Sequence, residues 1–190
     1  MGFFLTTISG DRTPYAIPPV EQTGKEGKRF NFQDRGEEEE GEEETRKKFL
    51  KASQKLYQKR AVILVREIMN AHPLRLKETL SLKEAWKEIK KHQVQHFSII
   101  KENGKMAGLL SQGELLQEMQ KGEESSLQEI LSGRTLCVEP TTALEEVVEV
   151  FFNEKIEAVP VVDESDQVVG ILTQNDLLKT IIKISRSVSF

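Results

Sequence analysis

Most of this chain is one segment written twice, and that repeat limits what it can fold into more than any other feature. A displacement of 62 positions lays the sequence on itself without a gap, carrying Gly108 to Gly170, Leu110 to Leu172 and Leu115-Leu116 to Leu177-Leu178. The same shift takes Ile68 to Ile130 and Ile100 to Val162. It also takes Leu82, Ala85, Trp86 and Ile89 to Leu144, Val147, Val148 and Phe151. Two copies are too few for a solenoid. A unit of this size cannot bury two helices alone, so the copies are expected to pack on each other.

Each copy reads as strand, helix, strand, strand, helix. Leu82, Ala85, Trp86 and Ile89 fall at i, i+3, i+4 and i+7, the spacing of one buried helical face. Ser81 and Glu84 form a capping box at its start, and Thr142 with Glu145 is expected to repeat that cap. Short apolar strands follow at His96–Ile100 and Ala158–Val162. Turn residues come next, then second strands at Met106–Leu110 and Val168–Leu172, and helices starting at Ser111 and Thr173. The predicted class is α+β with α/β-like local order, the two copies forming one pseudo-twofold module.

The copies occupy residues 61–122 and 123–186 in this reading. Residues 1–44 hold Pro14, Pro18 and Pro19, Gly24, Gly27 and a Glu-rich run from Glu37 to Glu44. A run of like charge repels itself and buries little, so an extended or disordered tail is expected there. Its aromatic residues, Phe3, Phe4, Tyr15, Phe30 and Phe32, are either solvated or dock on a protein partner. From Thr45 to Arg60 the charge reverses, and Phe49, Leu56 and Tyr57 recur at helical spacing. That pattern predicts a basic amphipathic helix.

Several function classes fall away. A net charge of -4 gives no general attraction to nucleic acid or anionic membrane. One cysteine, Cys137, allows neither an intrachain disulfide nor a multi-cysteine metal site. No apolar window is long enough to span a bilayer and no secretion signal is visible, so a cytoplasmic location is expected. His92 and His96 are four apart, but a strand beginning near His96 breaks their shared face, and no metal is expected. There is no G-x-S-x-G, P-loop or H-E-x-x-H, so the chain is not expected to be an enzyme.

The second copy contains Glu157-Ala158-Val159-Pro160-Val161-Val162-Asp163 and then Val168-Val169-Gly170-Ile171-Leu172-Thr173-Gln174-Asn175-Asp176-Leu177-Leu178. This resembles the CBS domain: a Pro-containing strand, an acidic turn, then Gly-hydrophobic-x-Thr-x-x-Asp. Arg66-Glu67-Ile68-Met69-Asn70 and Leu127-Gln128-Glu129-Ile130-Leu131 resemble the short helix that leads into each copy. The resemblance runs from about Ala61 to Ser185.

The resemblance implies two copies paired as a tandem (Bateman) module, with adenosine ligands in the cleft between them. It implies that Thr173 contacts phosphate or ribose, that Asp176 accepts from the ribose hydroxyls, and that Ala158, Val159 and Pro160 line the adenine. Chemically the pair suits the task, because two vicinal hydroxyls are donors and a carboxylate is a two-oxygen acceptor. Arg134 and Thr135 are added from position, as a phosphate partner and a further contact. The implied ligands are AMP, ADP, ATP, S-adenosylmethionine or a cyclic dinucleotide, as regulators and not as required cofactors. A homodimer is also implied.

The same Thr173-x-x-Asp176 pattern is equally a helix cap that needs no ligand. The first copy departs from the motif, with Ser111 and Glu114 at the two positions, Ser98 in place of Pro160, and Phe97 in place of Val159. A weak, altered or empty first half-site is expected, with the Phe97 ring filling the purine space or stacking on it. Two functions therefore stand. One is a sensor of an adenosine compound. The other is an interaction scaffold with vestigial sites, acting through residues 1–60. Single-stranded nucleic acid on the basic helix is a third and weaker reading.

Overall fold

The structure is a computed structural model describing residues 2–7, 9–16, 62–121, 125–131 and 133–187. The expected basic helix and most of the acidic tail lie outside the described residues. Chain order is β1 (Phe3–Thr7), β2 (Arg12–Pro14), α1 (Val65–Ile68), β3 (Arg75–Lys77), α2 (Leu82–His92), β4 (His96–Ile100), β5 (Met106–Ser111), α3 (Gln112–Gln120), α4 (Leu127–Ile130), β6 (Arg134–Val138), α5 (Leu144–Asn153), β7 (Ala158–Val162), β8 (Val168–Thr173) and α6 (Gln174–Ser187). From β3 onward each copy is the expected strand, helix, strand, strand, helix, and the class is α+β.

The first copy's sheet has the order β3-β4-β5 and the second copy's β2-β1-β6-β7-β8. Within each copy the first two strands are parallel and the last two antiparallel. Alternate residues therefore serve two interiors. Phe97, Ile99, Ala107 and Leu110 face α2 and α3, with Leu82, Ala85 and Ile89. Val159, Val161 and Leu172 face α5 and α6, with Val147, Val148 and Phe151. The opposite faces meet between the copies, where Met106, Cys137, Val162 and Val168 form a third apolar cluster.

The lead-in helices are exchanged. α1 precedes the first copy in sequence, yet Val65 is wholly buried in the second copy's core. α4 precedes the second copy, yet Leu127 is wholly buried in the first. The backbone repeats the exchange symmetrically. Val65 N–H donates to the Thr142 carbonyl and Arg66 N–H to that of Pro140, at 2.9 and 3.0 Å. Leu127 N–H and Gln128 N–H donate to Leu80 and Glu78, each at 2.9 Å. These bonds satisfy helix N-terminal donors that would otherwise be orphaned. Each half therefore lacks part of its core without the other.

Gly108 and Gly170 make the exchange possible. A Cβ on Gly170 would stand 2.5 Å from Met69 Sδ and 3.1 Å from the Asn70 carbonyl oxygen. One on Gly108 would stand 2.4 Å from Leu131 Cδ2.

Two expectations change. The cap expected from Thr142 and Glu145 is absent: α5 begins after Ala143, which has no side-chain cap bond. The 62-position shift maps Ser81 onto Ala143, so the repeat does not carry the hydroxyl across. Thr142 instead donates to the Gly2 carbonyl, at 3.1 Å. The second change concerns the tail. Phe3–Thr7 and Arg12–Pro14 are extended, and together they form a hairpin that adds two strands to the second copy's sheet through β6, from Phe3↔Val138 to Thr7↔Arg134. Gly10, at φ 99°, lies in its turn.

Candidate ligand cleft between the two copies

Thr173 ends β8 and caps α6. Its backbone N–H donates to Asp176 Oδ2 at 3.0 Å, and its hydroxyl donates to the same oxygen at 2.7 Å. Asp176 N–H returns to the Thr173 hydroxyl at 3.4 Å. Ser111 and Glu114 build the same reciprocal cap on α3, with bonds of 2.7, 2.8 and 3.1 Å. Both motif pairs are thus helix caps in this structure, as the ligand-free reading of the pattern anticipates. Of the Asp176 carboxylate only Oδ2 takes part in the cap, accepting two of its three bonds, and both residues are half-exposed. Gln174 N–H donates to the Glu157 carbonyl at 3.0 Å, which leaves Asn175 N–H in the first turn without an intrahelical acceptor. A carboxylate oxygen, a hydroxyl and a helix N–H therefore converge at the end of β8. This donor and acceptor set suits a ribose next to a phosphate.

The remaining candidates fall in different places. Ala158 is the register partner of Thr173, and Pro160 that of Ile171. Both are buried on the face turned to the first copy. Val159 points the other way, into the helix-side core, so only its backbone can meet a ligand. Phe97 follows Val159 into the equivalent core and is fully buried there. It neither fills nor stacks on a purine space in the cleft, because strand alternation sends it to the opposite face.

Arg134 and Thr135 start β6. Val138 pairs with Val161 in the parallel ladder, so Thr135 lies level with Ala158 and, beyond it, Thr173. With β7 between them, Thr135 and Thr173 are separated by two strand spacings, about 10 Å. β6 instead lies against β5 of the first copy, the strand ending in Ser111. The other side of the module brings β3 against β8, where Arg75 Nη1 donates to the Val168 carbonyl at 3.2 Å. The cleft therefore has two sides. Arg134 and Thr135 share one with Ser111 and Glu114, and Thr173 and Asp176 stand on the other. The pseudo-twofold relation places His72 and Pro73, the counterparts of Arg134 and Thr135, on the Thr173 side.

One residue weighed above only as a metal ligand lies in the cleft. His96 occupies the position equivalent to Ala158, pairs with Ser111 across the ladder and puts Nε2 3.4 Å from Glu157 Oε2 of the other copy. The 62-position shift could have drawn attention to it, since it places an imidazole at a position expected to line a purine. Among the described residues no group of three or more His, Cys, Asp or Glu side chains is arranged to hold a metal ion. Nor is any helix among them long and apolar enough to cross a membrane.

A family model described as CBS domain matches residues 65–121 and again 127–183. The L-aspartate semialdehyde sulfurtransferase of Methanocaldococcus jannaschii is 27% identical over 119 residues, which is 63% of this chain and 23% of that protein. The inosine-5'-monophosphate dehydrogenase of Aquifex aeolicus is 26% identical over 112 residues, 58% of this chain and 23% of that protein. The chain thus spans about a quarter of the length of these curated relatives. Among solved structures, the CBS domain pair of protein MJ0100, described in complex with 5'-methylthioadenosine and S-adenosyl-L-methionine, is 25% identical. Its TM-score is 0.59, covering 65% of this chain and 98% of that one. An acetoin utilization protein from Vibrio cholerae is 29% identical, with a TM-score of 0.60, covering 66% and 95%.

Proposed function

Since the chain belongs to the CBS domain family, we propose that it is a regulatory module and not an enzyme, sensing an adenosine compound in the cleft between its copies. The observation that carries this reading is the convergence of Asp176, the Thr173 hydroxyl and the first turn of α6 beside the buried Ala158–Pro160 strand. The adenosine ligands in the description of the MJ0100 domain pair support the ligand class. Asp176 takes the ribose hydroxyls, and Thr173 with Asn175 N–H takes phosphate or its counterpart. The purine lies toward Ala158 and Pro160, with His72 and Pro73 facing it from the first copy. AMP, ADP, ATP and S-adenosylmethionine all present this adenosine face. Leu178 and Ile182, 48% and 49% exposed and one turn apart on α6, give a homodimer an apolar contact.

Calorimetric titration with these four compounds tests the reading. Asp176→Asn keeps an acceptor oxygen for the cap and removes the charge, so stability should change little. Loss of a charge-assisted bond, about 1.5–3 kcal/mol, should weaken binding roughly ten- to a hundredfold. Unchanged affinity in Asp176→Asn would place the site elsewhere. Absence of binding by all four would favour the second reading, an interaction scaffold working through residues 1–60. The reciprocal caps, complete without ligand, are what favour that reading.

A further inference from the structure

The hairpin breaks the pseudo-symmetry at one side of the cleft only. β3 and β6 are equivalent strands, but among the described residues β3 ends its sheet whereas β6 is paired along its whole length with β1. The edge of β3 carries Arg75 and Lys77, charged and exposed, which discourage another strand from pairing there. The edge of β6 carries Thr135 and Cys137 on the cleft face, and β1 lays Thr6 and Phe4 beside them in register. Phe4 joins Met106 of the first copy and Cys137, Val162 and Val168 of the second in the inter-copy cluster. β1 also touches β5, the strand that ends in Ser111.

Arg12 of β2 fastens the hairpin. Its guanidinium lies 3.9 Å from the centroid of the Phe4 ring. Nε pairs with Asp166 Oδ1 at 2.7 Å, and Nη2 donates to the Asp163 carbonyl at 2.5 Å. Lys105 of the first copy pairs with the other Asp166 oxygen at 3.1 Å. Asp166 is thus the junction of hairpin, first copy and second copy. At the far end the Tyr15 hydroxyl donates to Glu154.

We propose that this hairpin is a built-in strap that closes the Ser111–Thr135 side of the cleft, so that an adenosine ligand enters only the Thr173–Asp176 side while the strap is seated. The inference rests on the function proposed above and adds its stoichiometry and control. It gives a structural reason, different from the altered motif, for an unoccupied first half-site: β1 takes up the outer edge of β6 and reaches across to β5.

Cys137, the chain's one cysteine, reports the strap without any ligand, being fully buried with Phe4 as its partner across the β1–β6 ladder. The experiment compares the full chain with Phe4→Ala/Arg12→Ala by maleimide labelling of Cys137 and by calorimetric titration with AMP, ADP, ATP and S-adenosylmethionine. The expected result is one equivalent bound by the native chain. In the variant, labelling should be at least tenfold faster and a second, weaker equivalent should appear. If the double variant loses its cooperative melt, Arg12→Ala alone, which leaves Phe4 in place, is read the same way with smaller changes. Two equivalents on the native chain with Cys137 still protected would overturn the strap. So would one equivalent on a variant whose Cys137 labels freely, and both results leave the sensing reading intact. No binding to either chain overturns the sensing reading and the strap with it.

Discussion

Val65→Ala is the sharpest test of the exchanged lead-in helices, because the residue precedes one copy and packs in the other. Val65 is 0% exposed among Val147, Val148, Val150 and Phe151 of the second copy. Removing two buried methyl groups and leaving a cavity costs about 2 kcal/mol by transfer and cavity terms. For a chain of this size that lowers the melting temperature by about 4–8 °C. Trp86, the only tryptophan, packs against the first copy's core, with Lys90 Nζ 5.2 Å from its ring centroid. Its fluorescence therefore reports the copy that Val65 does not touch. The two copies share both cores, so the fluorescence and far-ultraviolet dichroism transitions should coincide and move together in the variant. A dichroism transition that falls while the Trp86 transition stays in place would refute the exchange as a source of cooperativity.

Other outcomes follow from the same geometry. Gly170→Ala should destabilise by about 1–3 kcal/mol in denaturant titration, since the new Cβ presses on the fixed Asn70 carbonyl. Gly108→Ala should cost less, because its obstacle is the movable end of Leu131. Equal costs would contradict that distinction. Burial pushes the Cys137 thiol from its usual 9.0 up to about 12, only partly offset by Thr6 and Arg12. A raised pKa keeps the thiol neutral in the fold, so its contribution is complete below pH 9 and is lost as pH rises toward 12. Stability of the native chain relative to Cys137→Ser should therefore fall across that window, by up to about 4 kcal/mol. A difference independent of pH would show that the thiol is not shielded by β1.

Much of the fold was legible because its signals are local and doubled. The face of Leu82, Ala85, Trp86 and Ile89, the Ser81–Glu84 cap and the strand alternation each appear in a short window. The exchange of α1 and α4 was not legible, since a residue's neighbours in sequence say nothing of which copy receives it. Val65 looks the same whether it packs forward or across. The hairpin was hidden for a similar reason. Phe3-Phe4-Leu5 is a short apolar run in a proline-bearing tail, and its partner strand lies more than a hundred residues away. At the candidate site, Thr173 and Asp176 were singled out by their motif, as were Ala158 and Pro160. Their division from Arg134 and Thr135 required the order of strands across the sheet. Val159 and Phe97 were assigned to the cleft because adjacency in sequence was read as adjacency in space, whereas a strand turns successive side chains to opposite faces.

Hydrogen exchange with and without a saturating adenosine ligand tests the central claim most directly, because it locates the ligand. Protection is expected to rise at Thr173–Asp176, at Ala158 and Val159, and at His72 of the first copy. No rise is expected at Ser111–Glu114 or Arg134–Thr135 while the hairpin is seated. Protection confined to Ser111–Glu114 and Arg134–Thr135, or absent from the cleft for every compound tried, would contradict a ligand held by Thr173 and Asp176.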